Sequence, residues 1–259
     1  MVVRRIFESF HSRNISQLAV ELFIVIVGVF IGIQVSNWND ERIERSRAHS
    51  YLERIRADLD ADIENFRDRL AFWQKVSGYG ELGLYYATTG DSQNASQWDL
   101  LLAYFQASQL AEFYTSRSTY DELKSGGALG LIGNLEVRDQ LARYYTEADN
   151  PVLTERPAYR EHIRGLIPIR VQNYIWEQCY SSEDYGQTLL ECESPINPEE
   201  AAALVATIGE NQQLISELRY WMSTMRVAQI IGSGRIKTAQ RLRNAVDEVA
   251  TAASMPASH

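Results

Sequence analysis

The sequence predicts an all-α protein, in which an N-terminal transmembrane helix continues into a long stalk helix and then into an elongated helical bundle. Residue types that favour helices, such as Leu, Ala, Arg, Glu and Gln, are abundant. Only 15 Gly and 6 Pro occur among the 259 residues. Apolar residues recur at spacings of three and four along most of the chain, which indicates amphipathic helices.

The first element is an apolar segment over 18–38, which follows a short basic tail over 1–17. As a helix, Leu18 to Val35 would be about 27 Å long, close to the hydrocarbon thickness of a bilayer. A soluble core helix would show a polar face, and the residues after this segment lack the small-residue pattern of a signal-peptide cleavage site. We therefore predict an uncleaved transmembrane helix, with Trp38 as its anchor at the membrane–water interface.

One face of this helix carries an acid and two glycines. At about 100° per residue, Glu21, Gly28 and Gly32 lie within about 40° of one another. Glycines four residues apart allow two helix backbones to approach closely, so this face predicts packing against another transmembrane helix, in a homodimer or a membrane complex. Glu21 has two interpretations: a polar contact with that partner, or an interfacial acid that reaches the headgroups near the positive end of the helix dipole.

The orientation of the span rests on two features. A short basic stretch before the first apolar segment is typical of a signal anchor, although a plain count of arginines on the two sides favours the opposite orientation. Cys179 and Cys192 are 13 residues apart in a polar segment and are the only cysteines of the chain. They predict a disulfide in an oxidising compartment, the alternative being two free thiols. We expect a cytoplasmic N-terminus and a periplasmic body.

An apolar stripe that follows the span predicts a stalk helix over 39–88. Its opposite face carries charged residues, among them Asp58, Asp60 and Asp62, which we expect to be solvated. These acids alternate like calcium ligands, but they lack the loop glycine of such a site. A polar loop over 88–96 is expected to end the helix. The stripe consists of Leu52, Ile55, Leu59, Ile63, Phe66, Leu70, Trp73 and Val76.

Residues 97–250 are predicted to form the helical bundle domain, and residues 251–259 a flexible tail. Asn197 and Pro198, followed by two acids, are a strong helix start and predict one last helix that reaches about residue 250. Earlier helices are expected over about 97–113, on both sides of a glycine-rich turn within 118–145, and around a kink at Pro168. The last helix carries an apolar stripe that suits packing against the stalk: Leu204, Ile208, Leu214, Leu218, Trp221, Met225 and Ile230.

Signals for catalysis or metal binding are weak. The glycine run over 125–134 follows no predicted strand and lacks the G-K-[ST] ending of a phosphate-binding loop. No histidine lies at ligand spacing from another histidine, a cysteine or an acid. We therefore predict no enzymatic activity, no cofactor and no metal site. Several aromatic residues either line a pocket for a small ligand or form the bundle core: Tyr120, Tyr144, Tyr145, Tyr174, Trp176 and Tyr180.

Two stretches of the chain together resemble a bacterial domain-of-unknown-function family of single-span membrane proteins. The first is similar to its E…GxxxG/A…WN[DE] anchor, at Glu21, Gly28, Gly32, Gln34, Trp38, Asn39 and Asp40. The second is similar to its YxELKxxGxLxLI motif, at Tyr120, Glu122, Leu123, Lys124, Gly127, Leu129, Leu131, Ile132, Asn134, Leu141, Tyr144 and Tyr145. The anchor departs from the family at two positions. Val20 precedes Glu21 where the family has Gly, and Gly32 stands where the family has Ala. The resemblance implies a membrane-anchored helical protein and brings no known activity. With the orientation given above, we expect the bacterial inner membrane as its location.

The net charge of −9 argues against a nucleic-acid partner, because nucleic acids bind to basic protein surfaces. The expected partners are therefore the lipid bilayer and another transmembrane helix. These observations predict a non-enzymatic, single-pass, membrane-anchored protein that acts as an accessory or scaffold subunit of a membrane protein complex. The alternative is a periplasmic ligand-sensing bundle that signals through a membrane partner.

Overall fold

The computed structural model describes residues 15–111, 115–146, 156–182 and 186–254 and confirms the all-α class. Residues 1–14 of the predicted N-terminal tail (1–17) lie outside the described residues. Residues 255–259 of the predicted C-terminal tail (251–259) do so as well. The described helices are α1 (Ile15–Thr89), α2 (Gln97–Gln106), α3 (Ser118–Ser125), α4 (Leu135–Thr146), α5 (Ala158–Leu166), α6 (Ile169–Gln178), α7 (Pro198–Glu210) and α8 (Gln212–Ser254). A short 3-10 helix spans Leu129–Leu131, and an antiparallel hairpin joins β1 (Tyr180–Ser181) to β2 (Thr188–Leu189).

The surroundings of helix α1 differ along its length. It has 75 residues and is therefore about 112 Å long. From Leu22 to Val35 its apolar side chains are exposed except for half-buried Val27. From Leu52 onward, the predicted apolar stripe is buried against the other helices, except that Leu70 is only partly buried. A single helix thus carries both the predicted span and one side of the folded core.

Helices α1 and α8 run antiparallel and together support two hydrophobic clusters. We call the cluster nearer the predicted span the proximal core; it joins Leu52–Ile63 of α1 to α3, α4 and the C-terminal half of α8. The other, the distal core, joins Phe66–Val76 of α1 to α2, α5, α6, α7 and the N-terminal half of α8. The two clusters lie one after the other and together cover the continuous apolar stripe of α1. The smaller helices therefore pack in a row along the α1–α8 pair.

The prediction of one last helix from Pro198 to about residue 250 is wrong, because Asn211 divides it into α7 and α8. Asn211 has an extended backbone conformation, with φ −79° and ψ 91°, which ends α7. Its side-chain oxygen accepts a hydrogen bond from the backbone N–H of Leu214, at 3.1 Å, and so caps the start of α8. The start at Asn197 and Pro198 is where the sequence predicts it.

Pro168 separates two helices instead of kinking one. Helix α5 ends at Leu166 and α6 begins at Ile169, because proline has no N–H to donate and Pro168 itself has an extended ψ of 137°. The helix predicted over about 97–113 is also shorter, since α2 ends at Gln106.

Two side chains lie elsewhere than the periodicity predicts. Asp62, expected on the solvated face of the stalk, is fully buried. Ile230, expected on the packed stripe of α8, is 60% exposed. The buried stripe of α8 continues from Met225 through Ala228 and Gly232 at spacings of three and four, and Ile230 falls outside that row.

Gly83 of α1 is expected to tolerate no larger residue, because Tyr104 of α2 lies against it. A Cβ atom at Gly83 would lie 2.8 Å from Tyr104 Cε1. The Tyr104 hydroxyl donates a hydrogen bond to the Gly83 carbonyl, at 2.9 Å, so the ring is not free to move aside. We expect Gly83→Ala to lower the free energy of unfolding by about 1–3 kcal/mol, measured by chemical denaturation of the full chain in mild detergent.

Gly78 of the same helix provides the control. It is exposed, and a Cβ atom there would have no neighbour within 4 Å. Gly78→Ala should raise the free energy of unfolding by about 0.5–1 kcal/mol, because alanine favours the helix. Equal effects of the two substitutions would contradict the close packing of α2 on Gly83.

Candidate functional site

The predicted span is the first candidate site, because nothing else in the described protein covers it. One helix, found within Val20–Thr89, is long and apolar enough to cross a membrane by length and composition, and its most apolar window is entirely unburied. Apart from half-buried Val27, the exposed fractions of its large side chains lie between 53% at Ile33 and 65% at Phe23. An apolar surface of this extent is typical of contact with lipid or with another protein.

The face formed by Glu21, Gly28 and Gly32 is open. A Cβ atom added at either glycine would have no neighbour within 4 Å, so no other part of the described chain packs there. Gly28 and Ile55 are 27 residues apart, which at about 100° per residue places them roughly 180° apart around α1. Since Ile55 is fully buried in the proximal core, this face lies on the side of α1 away from the bundle. Its packing against a second helix stays a prediction.

The two cysteines are joined in the structure, consistent with the predicted disulfide. Cys179 and Cys192 are bonded, with their Cα atoms 5.3 Å apart. Their carbonyl oxygens accept hydrogen bonds from α2 side chains: Gln106 Nε2 donates to Cys179, and Trp98 Nε1 donates to Cys192, each at 3.0 Å. The disulfide therefore closes the segment that contains the β1–β2 hairpin, and these bonds fix both ends of that segment to α2.

A cleft of about 950 Å³ lies beside the hairpin and is the second candidate site. One face of α1 forms its floor, and three separate segments form its walls. Gln187 of the hairpin segment accepts a hydrogen bond from Arg69 Nη1 at 2.7 Å and donates one to the Tyr180 hydroxyl at 2.9 Å. The lining residues that carry charge are Glu64, Asp68, Arg69, Arg156 and Arg160.

The arginines beside this cleft are held by the C-terminal end of α2. Arg160 Nη1 donates to the Ser108 carbonyl at 2.6 Å, and Arg164 Nε donates to the Ser108 hydroxyl at 3.2 Å. The guanidinium of Arg164 also lies about 5 Å from the ring centres of Phe105 and Trp176. Burial, and then the charge of Arg160, lowers the pKa of Arg164 to about 10, which leaves it charged at neutral pH. These cations lie where the negative end of the α2 dipole favours them.

Asp62 fixes the segment that forms one wall of the cleft. Its carboxylate accepts hydrogen bonds from the Ser116 backbone N–H at 2.6 Å and from the Tyr144 hydroxyl at 2.7 Å. Burial raises the pKa of Asp62, although both of these bonds oppose the rise. Arg235 of α8 donates to the Tyr144 carbonyl at 3.1 Å. Asp62 thus connects α1 to α4 and to the residues after α2, which indicates a structural role.

The aromatic residues of the middle segment belong to the core and do not line the cleft. Tyr120, Tyr144 and Tyr145 are buried in the proximal core, where the rings of Tyr120 and Tyr145 stack. Tyr174, Trp176 and Tyr180 pack against the distal core. The glycine run forms the turn between α3 and α4, with Gly127 at φ +66°. Among the described residues, no group of three or more His, Cys, Asp or Glu side chains is placed to hold a metal ion.

The sequence predicts the span and the cysteine pair but gives no indication of the cleft. The cysteines and the span are local signals, whereas the cleft is lined by α1 and three other segments of the chain. Comparison with protein-family models, curated proteins and solved structures gave no significant match. The resemblance of the anchor and of the 120–145 segment to a bacterial family stays a prediction.

The buried position of Asp62 predicts a pH dependence of stability. A carboxyl group whose pKa is higher in the native state binds its proton more tightly there than in the unfolded chain. Its contribution to stability is therefore greatest below the ordinary pKa of 3.8 and declines as the pH rises through the native pKa. Asp62→Asn removes this titration. The free energy of unfolding of the wild type, minus that of Asp62→Asn, should thus decrease as the pH rises across this window.

The measurement is denaturant unfolding of the full chain at several pH values, followed by tryptophan fluorescence. Asp68→Asn, which changes an exposed carboxylate on the same helix, is the control and should keep the wild-type pH profile. Parallel profiles for the wild type and Asp62→Asn would show that Asp62 does not titrate as its burial predicts.

Proposed function

We propose that this protein is a non-enzymatic, single-pass membrane protein that serves as an accessory or scaffold subunit of a membrane protein complex. The observation that carries the proposal is the continuity of α1 from the exposed apolar segment into the buried core. Because one helix contains both parts, a partner bound to the span would be held in a fixed relation to the bundle. Such a protein acts by position and needs no reaction of its own.

The open face of Glu21, Gly28 and Gly32 supports docking to another transmembrane helix. Small residues at these positions let a partner backbone approach closely. Since the face points away from the bundle, the partner helix would not collide with the folded domain. In this proposal Glu21 contributes a polar contact, which is stronger when it is shielded from water.

The proposed location is the bacterial inner membrane, with a cytoplasmic N-terminus and a periplasmic body. The Cys179–Cys192 disulfide is consistent with an oxidising compartment around the body. The polar residues with the most specific surroundings support a non-enzymatic role, because Asp62, Arg160 and Arg164 are each engaged in bonds that join helices.

The docking face is tested by Gly28→Ile combined with Gly32→Ile. The added side chains would separate two packed helices, so we expect the amount of a specific partner that co-purifies in mild detergent to fall by about tenfold or more. The measurement is quantitative mass spectrometry of the purified complex, together with capture of a second, differently tagged copy of the chain.

Ile26→Leu combined with Phe30→Leu is the matched control, because these positions lie on the far side of the same helix. The control should retain the partner. Full retention of the partner by the glycine variant would contradict the docking face, and the absence of any specific partner in the wild type would contradict the scaffold proposal.

A ligand-sensing bundle is the second candidate, favoured by the cleft beside the hairpin. Its volume of about 950 Å³ lies within the range of small-molecule sites. Glu64 and Asp68 lie on its α1 floor, while Arg156 and Arg160 belong to the segment at the start of α5. Arg69 lies on the same floor and is bonded to Gln187. The lining thus offers both carboxylates and guanidinium groups, which suits a ligand that carries both an ammonium and a carboxylate group, such as an amino acid or a short peptide.

A ligand of this kind should raise the melting temperature of the full chain, because it binds only the folded state. We expect a set of amino acids and dipeptides to include such a compound. Its effect should disappear in Glu64→Gln combined with Asp68→Asn and persist in Glu53→Gln combined with Glu81→Gln, which changes exposed acids of α1 outside the cleft. A complete set without any shift would contradict the sensing role.

A further inference from the structure

The outward face of α8 is basic, although the chain as a whole is acidic. Between Glu217 and Asp247 the helix contains six cationic residues and no acid, although the net charge of the chain is −9. Two of the six serve the fold: Arg235 is buried and bonded to the Tyr144 carbonyl, and Arg243 pairs with Asp60 of α1 at 3.2 Å. The others are Arg219, Arg226, Lys237 and Arg241, all exposed.

Three of these exposed cations have no acidic partner within the part of the chain that the structure describes. Arg219, Arg226 and Lys237 form neither an ion pair nor a side-chain hydrogen bond there. Two exposed arginines of α1, by contrast, pair with acids of other helices: Arg54 with Glu122 of α3, and Arg56 with Asp247 of α8. The α8 cations are therefore not part of the charge compensation that joins the helices, and they remain available to an external anion.

A row of apolar side chains runs beside these cations. Tyr220, Val227 and Ile230 are 63%, 43% and 60% exposed. Together with Ser223 and Gly234 they repeat at spacings of three and four on one side of α8. At about 100° per residue, Arg219, Arg226 and Lys237 follow the same row along one edge. An apolar row with charges along its edge is the pattern by which one helix recognises another.

We propose that this row is a docking surface for an acidic amphipathic helix of a partner protein. The partner helix would place aliphatic side chains on Tyr220, Val227 and Ile230 and carboxylates opposite the neighbouring cations. A second copy of the same surface is disfavoured, because it would bring cations against cations. The surface belongs to the bundle, so it does not depend on the span face of Glu21, Gly28 and Gly32.

The position of the row along α1 disfavours a lipid surface as its ligand. A Cβ atom at Gly232, at the same level of α8 as the end of the row, would lie 3.2 Å from Leu70 Cδ2 and from Trp73 Cζ3. Leu70 is 32 residues beyond Trp38, or about 48 Å along the helix axis. If α1 crosses the membrane as proposed, the row extends away from the bilayer and would not lie flat on it.

The test uses the full chain in a neutral detergent and two fluorescent peptides of about four heptads. Both peptides carry the same leucine row; one has glutamate along its edges and the other has lysine. Fluorescence anisotropy should show binding of the glutamate peptide at least about tenfold tighter than that of the lysine peptide, with a strong decrease at high salt. Equal binding of the two peptides, or no binding at low salt, would overturn the proposal.

Matched variants locate the binding. Arg226→Glu combined with Lys237→Glu should reverse the preference between the peptides, and Val227→Ser combined with Ile230→Ser should weaken binding of the glutamate peptide about fivefold or more. Arg67→Glu combined with Lys75→Glu is the control, since it makes the same charge change at exposed positions of α1. A loss of binding in this control equal to that in the α8 variant would overturn the assignment to α8.

Two further measurements complete the test. The first distinguishes the α8 surface from the span face, and the second distinguishes a protein ligand from a lipid. Gly28→Ile combined with Gly32→Ile should leave peptide binding unchanged, so that failure of the span docking face and failure of the α8 surface are distinguishable. Displacement of the glutamate peptide from the wild type by phosphatidylglycerol, but not by phosphatidylcholine, in mixed micelles would assign the surface to lipid and overturn the proposal for a protein partner.

Discussion

The close antiparallel packing of α1 on α8 is the constraint on which the other elements depend. Small residues make this approach possible, since the side chains of Leu70 and Trp73 lie directly over Gly232. A hydrogen bond from Gln229 Nε2 to the Ser77 hydroxyl, at 2.8 Å, fixes the register in the same region. Neither helix buries its apolar stripe completely against the other, so α2 to α7 pack along the pair and complete the proximal and distal cores.

Charge supports this arrangement without providing most of its stability. Arg243 pairs with Asp60, and Arg56 pairs with Asp247, which joins the two long helices at their proximal end. These pairs are partly exposed, and such pairs typically contribute less than about 1 kcal/mol each. The polar group with the greater structural consequence is the buried Asp62, because its removal would leave the Ser116 N–H and the Tyr144 hydroxyl without their acceptor.

The features predictable from the sequence are those that depend on neighbouring residues. The stripe from Leu52 to Val76 and the start of α7 at Asn197 follow from spacing and capping rules that act within a few turns. The burial of Asp62 is not predictable in this way, because its hydrogen-bond donors come from residues 54 and 82 positions later in the chain. The division at Asn211 is hard to predict, because a cap without a proline or glycine is a weak signal. The cleft has no sequence signal at all, since α1 contributes only its floor and distant segments contribute the rest.

Because the helix between Gly32 and Leu52 is uninterrupted, its length determines the angle around the axis of α1 between the glycine face and the bundle. Residues 39–50 are exposed apart from partly covered Ala48, so no packing would oppose a change in the length of this segment. Each inserted residue would turn the bundle by about 100° relative to the glycine face and move it by about 1.5 Å. Seven residues would nearly restore the original angle, since two turns of helix take about 7.2 residues. The number of residues in this segment therefore sets the angle around the helix axis between the glycine face and the bundle.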